Sequence, residues 1–136
     1  MRLLIDANII LDVLQRREPF YEGSSIIWKL CETNQADGYI STLTFANLVY
    51  IMRKQLSPEQ IKDVYSALHM IFSFADLTST DLSSAADQKW DDFEDALQSV
   101  IAKRIKAQYI ITRNVKDFEE SQVVALTPHE FLHSVT

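Results

Sequence analysis

Four short apolar runs, each stopped by polar residues and separated by stretches of helical period, constrain this chain more than any other feature. Leu3-Leu4-Ile5 halts at Asp6-Ala7-Asn8, and Gly38-Tyr39-Ile40-Ser41 makes a second run. Tyr109-Ile110-Ile111-Thr112 is the third, and Val123-Val124-Ala125-Leu126 ends at Thr127-Pro128. Runs this short and this continuously apolar suit strands buried on both faces of a parallel sheet. Between them the period changes to about 3.6. Ile9, Ile10, Val13 and Leu14 read as a helix after Asn8, and Ile26, Ile27, Leu30 and Cys31 as another. Phe45, Leu48, Val49 and Met52 mark a third. Ser57-Pro58-Glu59-Gln60 is an N-cap with proline at the first helical position, opening a helix that runs to about Phe74. Phe93, Ala96, Leu97, Val100, Ile101 and Ile105 form a sustained stripe after Asp92. The order is β-α-α-β-α-α-(β)-α-α-β-α-β-α, the optional strand lying near Asp76-Leu77-Thr78. That is an α/β chain: a three-layer α/β/α sandwich with a central parallel sheet, expected as a single domain over residues 1–136.

Composition narrows the chemistry. With 47% hydrophobic residues the chain can bury a core, so disorder is not expected. Nineteen acids against thirteen Lys and Arg give a net charge of −6, which argues against holding nucleic acid by bulk positive charge. It leaves open an enzyme whose acidic pocket recruits cations that then meet phosphate. The lone Cys31 excludes an internal disulfide framework and a cysteine-built zinc site. No apolar run approaches the roughly 18 residues of a membrane-spanning helix. Met1 to Asp6 reaches a carboxylate too soon for a signal-peptide apolar region, so a cytoplasmic protein without a membrane partner is expected.

In an open parallel sheet, ligands bind outside the carboxyl ends of the strands, so the polar residues there carry the argument. Asp6 follows the first run directly; it reads equally as a cap or turn residue, although Asn8 could cap as well. In Trp90-Asp91-Asp92-Phe93-Glu94-Asp95-Ala96-Leu97, Asp91 as N-cap and Glu94 at N3 approximate a capping box. That leaves Asp92 and Asp95, three residues apart on one helical face, where like charges repel unless a cation or proton intervenes. Thr112-Arg113-Asn114-Val115-Lys116-Asp117-Phe118 gathers a hydroxyl, an amide and a carboxylate after the third run, and ordinary capping also accounts for it. Together the segments say more, because one sheet edge would gather Asp6, Asp95 and Asp117. Oxygen donors from separate segments, without histidine or cysteine, suit Mg²⁺ or Mn²⁺ and phosphoryl-transfer chemistry. His69, His129 and His133 have no ligand spacing. Trp28 and Trp90 read as core packing. A receiver domain needs an acid pair after the first strand and a dehalogenase-type phosphatase needs Asp-x-Asp; Ile5-Asp6-Ala7-Asn8 supplies neither.

At these three segments the chain resembles the PIN domain family of small metal-dependent ribonucleases, and the resemblance covers essentially its whole length. Leu4-Ile5-Asp6-Ala7-Asn8-Ile9-Ile10-Leu11-Asp12 is similar to the family's strand-one motif, Asp92-Phe93-Glu94-Asp95-Ala96-Leu97-Gln98 to its central acidic helix, and Ile111-Thr112-Arg113-Asn114-Val115-Lys116-Asp117-Phe118 to its closing Thr-Arg-Asn-x-x-Asp-Phe motif. The resemblance implies a Rossmann-like sandwich and an endoribonuclease using Mg²⁺ or Mn²⁺, of the type found as VapC toxins neutralised by a co-encoded antitoxin. It implies Asp6, Asp95 and Asp117 as catalytic metal ligands, with Asp92 and Asn47 as weaker or water-mediated partners. Asn8, Thr112, Arg113, Asn114 and Lys116 are then expected at the RNA. Asn47 departs from the pattern: the family commonly carries a glutamate early in that helix, so Asp92 or Glu94 would have to supply the charge. A homodimer is expected by the same analogy, through Tyr50, Ile51, Tyr65, Met70 and Phe72 of the helices at 42–54 and 57–74. The alternative is a catalytically weakened PIN-like module acting by protein or RNA binding.

Overall fold

The computed structural model describes residues 1–134, so the last two residues of the expected 1–136 span lie outside the described residues. Five strands form one parallel sheet: β1 (Arg2–Ile5), β2 (Asp37–Ser41), β3 (Ser73–Ala75), β4 (Tyr109–Ile111) and β5 (Val124–Leu126). Their spatial order is β3-β2-β1-β4-β5. Among the described residues seven α-helices connect and follow them: α1 (Ala7–Leu14), α2 (Tyr21–Glu32), α3 (Thr42–Ile51), α4 (Pro58–Ile71), α5 (Ser79–Gln88), α6 (Phe93–Arg104) and α7 (Pro128–Ser134). None of the described helices is long and apolar enough to cross a membrane.

The sheet is apolar on both faces because it is covered on both. Leu3 and Ile5 belong to a core with Ile9, Ile10, Ile27, Ile40 and Leu48, whereas Leu4 joins Ile101, Ala102 and Ile110 on the opposite side. Alternation along β1 thus sends successive side chains into two different cores. The order also reverses at β1. The chain first builds outward through β2 and β3, then returns to lay β4 and β5 on the other flank. The crevice beside such a reversal lies between the carboxyl ends of β1 and β4, where the first strand delivers Asp6 and the fourth Thr112.

Helix starts follow the local chemistry. Ser57 and Gln60 form a complete capping box with Pro58 inside it, and Thr78 with Asp81 forms a second. Three expectations need correction. The cap of α6 is Asp92, not Asp91, and the residue at N3 is Asp95, not Glu94; Asp92 Oδ1 accepts from the Asp95 N–H at 3.0 Å. The third strand lies at Ser73–Ala75, not at Asp76–Thr78, because α4 stops at Ile71 and Phe72 is already extended (φ −119°, ψ 151°). Phe72 is buried edge-on against Trp28 at 5.3 Å and so cannot belong to a dimer surface. The other four expected there are exposed, Tyr50 at 64% and Met70 at 87%.

Gly38 in β2 marks the tightest packing. A Cβ there would stand 2.6 Å from Cys31 Sγ and 2.7 Å from Phe72 Cδ1. Gly38→Ala is therefore expected to destabilise by about 1–3 kcal/mol through overpacking. Urea unfolding would read this as a lower midpoint at unchanged slope.

Candidate active site

Asp6 is held by its own helix and by the strand beside it. As N-cap of α1 it accepts from the Ala7 N–H at 2.8 Å, and its Oδ2 accepts from the Thr112 hydroxyl at 2.8 Å. Asn8 Nδ2 lies 3.3 Å from Thr112 Oγ1 and 3.4 Å from Asp6 Oδ2, while Asn8 Oδ1 accepts from the Arg113 N–H at 3.2 Å. Thr112 Oγ1 also accepts from the Asn114 N–H at 3.1 Å. Burial raises the Asp6 carboxyl above its ordinary range; the bonds from Thr112, Ala7 and Gln98 offset this only in part.

Asp95 comes from α6, whose placement depends on a buried polar knot absent from the sequence-based expectations. Gln98 accepts from Ser41 Oγ at 2.8 Å and donates to Thr44 Oγ1 at 2.9 Å, and Ser41 caps α3 through the Thr44 N–H. Asp95 is one turn before Gln98, so the knot that fixes Gln98 also sets Asp95 over the crevice. The Asp95 carboxyl is pushed up to about 7, first by burial and then by the charges of Asp92, Asp6, Asp117 and Glu94. Four acids from three segments therefore act on one side chain.

The third segment is a 3₁₀ turn over Val115–Phe118 that exposes Asp117 and anchors itself through the buried Phe118, which meets Trp90 edge-on at 6.3 Å. Two depressions share this region. One is lined by Asp6, Asn47, Glu94 and Asn114, the other by Asp117, Lys116, Lys89 and Trp90. Asp92 and Asp95 line both. Asn47 faces the acids as its position required, and its Nδ2 donates to Glu94 Oε1. Glu94 thus brings a carboxylate to Asn47 from the neighbouring helix.

Of the residues expected at the RNA, Asn8, Asn114 and Lys116 line these depressions, Asn8 while also bonded to Thr112 and the Arg113 amide. The other two are turned to the protein. Thr112 is fully buried and engaged with Asp6, and the Arg113 guanidinium pairs with buried Asp12 at 3.1 Å. Trp90 is half-buried in the packing, as expected.

Could this set hold a metal? The donors are all oxygen, and two of the carboxyls resist ionisation where they stand, which a dication would relieve. Among the described residues no three acidic, histidine or cysteine side chains form a finished cage. The acids act on one another's charge. In donor chemistry, all oxygen with no histidine or cysteine, the set is of the kind a hard divalent ion takes.

The chain is similar in sequence and in fold to known proteins. A family model described as the PIN domain matches residues 2–116. Ribonuclease VapC1 of Aquifex aeolicus (strain VF5) is 26% identical over 134 residues, spanning 96% of this chain and 92% of that relative. A toxin-antitoxin complex from Klebsiella pneumoniae superimposes with TM-score 0.71 at 22% identity, over 94% of this chain and 98% of that one. VapBC-1 from nontypeable Haemophilus influenzae gives 0.68 at 17%, over 95% and 99%. At these identities the two structures establish the fold.

Proposed function

The chain belongs to the PIN domain family, and from that premise we propose that it is a ribonuclease, the toxin of a toxin–antitoxin pair, hydrolysing RNA phosphodiester bonds in the cytoplasm with residues 1–136 as its one domain. The observation that carries the reading is that Asp95 lines one depression with Asp6 and the adjoining one with Asp117, and carries the influence of both charges. The ribonuclease relative and the neighbours solved as toxin–antitoxin complexes support the activity and an antitoxin partner.

Asp6, Asp95 and Asp117 would hold Mg²⁺ or Mn²⁺, with Asp92 as a weaker or water-mediated partner and Asn47 presenting Glu94 to the same place. A bound divalent ion supplies an acidified water and neutralises charge on the scissile phosphate. The chain's residues do the positioning. Thr112 and Ala7 fix the Asp6 oxygens, and the Gln98 knot fixes Asp95. Lys116 offers a cation beside Asp117, where a phosphate flanking the cleaved bond would lie. Water adds to phosphorus and the bond to the 3′-oxygen breaks, leaving a 5′-phosphate and a 3′-hydroxyl. The local cation also explains how a chain of charge −6 meets a polyanion. Exposed Tyr50, Ile51, Tyr65 and Met70 make the homodimer surface of this reading. Light scattering at micromolar concentration should then give twice the chain mass, and a strict monomer would remove that part.

The site itself is tested by calorimetric titration of the metal-free protein with Mn²⁺ near pH 7. Saturable uptake with proton release is expected, because Asp95 is still partly protonated there. Absence of binding would count against the nuclease reading and favour a module that acts through protein contacts.

A further inference from the structure

We propose that the buried Asp12–Arg113 pair seats the Thr112–Phe118 turn, and with it Asp117, against Asp6, so that Arg113 is a positioning residue for the reaction. The inference rests on the reading of Asp6, Asp95 and Asp117 as the working carboxylates.

The pair is poorly explained as a source of stability. Asp12 is 0% exposed inside α1, where its Oδ2 accepts from Ser24 Oγ at 2.9 Å and meets Arg113 Nε at 3.1 Å. The Nε contact lacks the alignment of a hydrogen bond, and Asp12 Oδ1 takes no hydrogen bond from the described residues. A buried ion pair repays its desolvation only when geometry is excellent and the remaining polar atoms are satisfied. This one meets neither condition. What it does supply is a fixed point of attachment.

That point completes a set of three. Helix α1 grips the turn through Thr112 on Asp6, through the Arg113 N–H on Asn8 Oδ1, and through the Arg113 side chain on Asp12. The first two contacts lie at the start of α1, and a turn held only there can still pivot about them. The third lies further along α1, on a guanidinium whose carbon stands 4.0 Å from the centre of the Phe20 ring. Held from both sides, Arg113 orients the segment that carries Asp117. Its side chain lines a separate depression with Pro19, Phe20, Gly23 and Pro128, while Asn114 and Lys116 of the same turn line the acid-bearing ones.

Arg113→Gln, Arg113→Lys, Asp12→Asn and the Asp12→Asn/Arg113→Gln double variant in the full chain test this. Arg113→Gln and Asp12→Asn should each lower kcat for RNA cleavage by about 10- to 100-fold, as small misplacements do, with KM moved by less than about twofold. The double variant should be no worse than either single, because both remove one contact. Arg113→Lys keeps a charge for Asp12 and should recover part of the loss; it also serves if the Gln variant does not fold. Amide exchange supplies a readout independent of activity. The Arg113, Asn114 and Asp117 amides, bonded to Asn8, Thr112 and the Asn114 carbonyl, should exchange at least about tenfold faster in the variants, with β1 and β4 unchanged. A raised KM at full kcat would make Arg113 an RNA ligand and overturn the proposal, as would additive losses or unchanged exchange. If the parent neither binds Mn²⁺ nor cleaves RNA, the nuclease reading fails, and exchange still decides whether the pair holds the turn.

Discussion

Asp95→Asn is expected to lower RNA cleavage by at least about a hundredfold, since even changes to residues that only support a metal's ligands cost 10- to 100-fold. The protein should stay folded. Asparagine is nearly isosteric, the N3 backbone amide remains on the Asp92 cap, and the Gln98 knot one turn later is untouched. What disappears is the one charge acted on by Asp92, Asp6, Asp117 and Glu94 together. Without metal, the Asn variant should therefore unfold at higher urea than the parent near neutral pH, while with Mn²⁺ the parent should gain stability and the variant should not. Urea midpoints with and without Mn²⁺, beside a cleavage assay, measure all of this. A variant that cleaves at the parent's rate would remove Asp95 from the site.

The same charges set the pH response of the metal-free protein. Asp6 and Asp95 are both raised above their unfolded values, Asp95 to about 7, so above about pH 4 the folded state binds more protons than the unfolded one. Stability from each group is complete below about pH 4 and is lost as pH rises through that group's own raised value, about 7 for Asp95. Asp81 works in the opposite direction, because its two bonds from Arg104, at 3.0 Å each, and its capping contacts hold its pKa down. Its contribution is present above the ordinary carboxylate range and is lost as pH falls through its own lower value. Maximum stability is thus expected in mild acid, and Asp95→Asn should flatten the decline toward neutral pH. Urea midpoints measured from pH 4 to 8 check the sign. Stability rising from pH 5 to 7.5 without metal would contradict it.

Much of this architecture is legible in the residues because the signals are local. Four apolar runs mark four strands, and Ser57-Pro58-Glu59-Gln60 announces α4 through its own side chains. The third strand is harder, since Phe72 and Phe74 extend the apolar content of α4 with no glycine or proline to mark the change of period. The cap of α6 is ambiguous for a similar reason: Asp91 and Asp92 are adjacent and both can cap, and the tertiary setting of α6 selects Asp92. The acids are readable because a parallel sheet places its chemistry at strand ends, where Asp6 and Asp117 had to lie. The supporting residues are not, because their partners are remote. Thr112 reaches Asp6 across 106 positions and Gln98 reaches Ser41 across 57, separations at which no periodicity speaks. Arg113 shows the cost: beside Asp117 in sequence it looks like an RNA contact, and only the fold reveals Asp12 behind it.

Cleavage of single-stranded RNA by the full chain, with Mn²⁺ or Mg²⁺ and again with EDTA, is the most direct test. The carboxylate site predicts cleavage with the divalent ion, none with EDTA, recovery when the ion is restored, and products ending in 5′-phosphate and 3′-hydroxyl. Cleavage that persists in EDTA, or products ending in 2′,3′-cyclic phosphate, would contradict it.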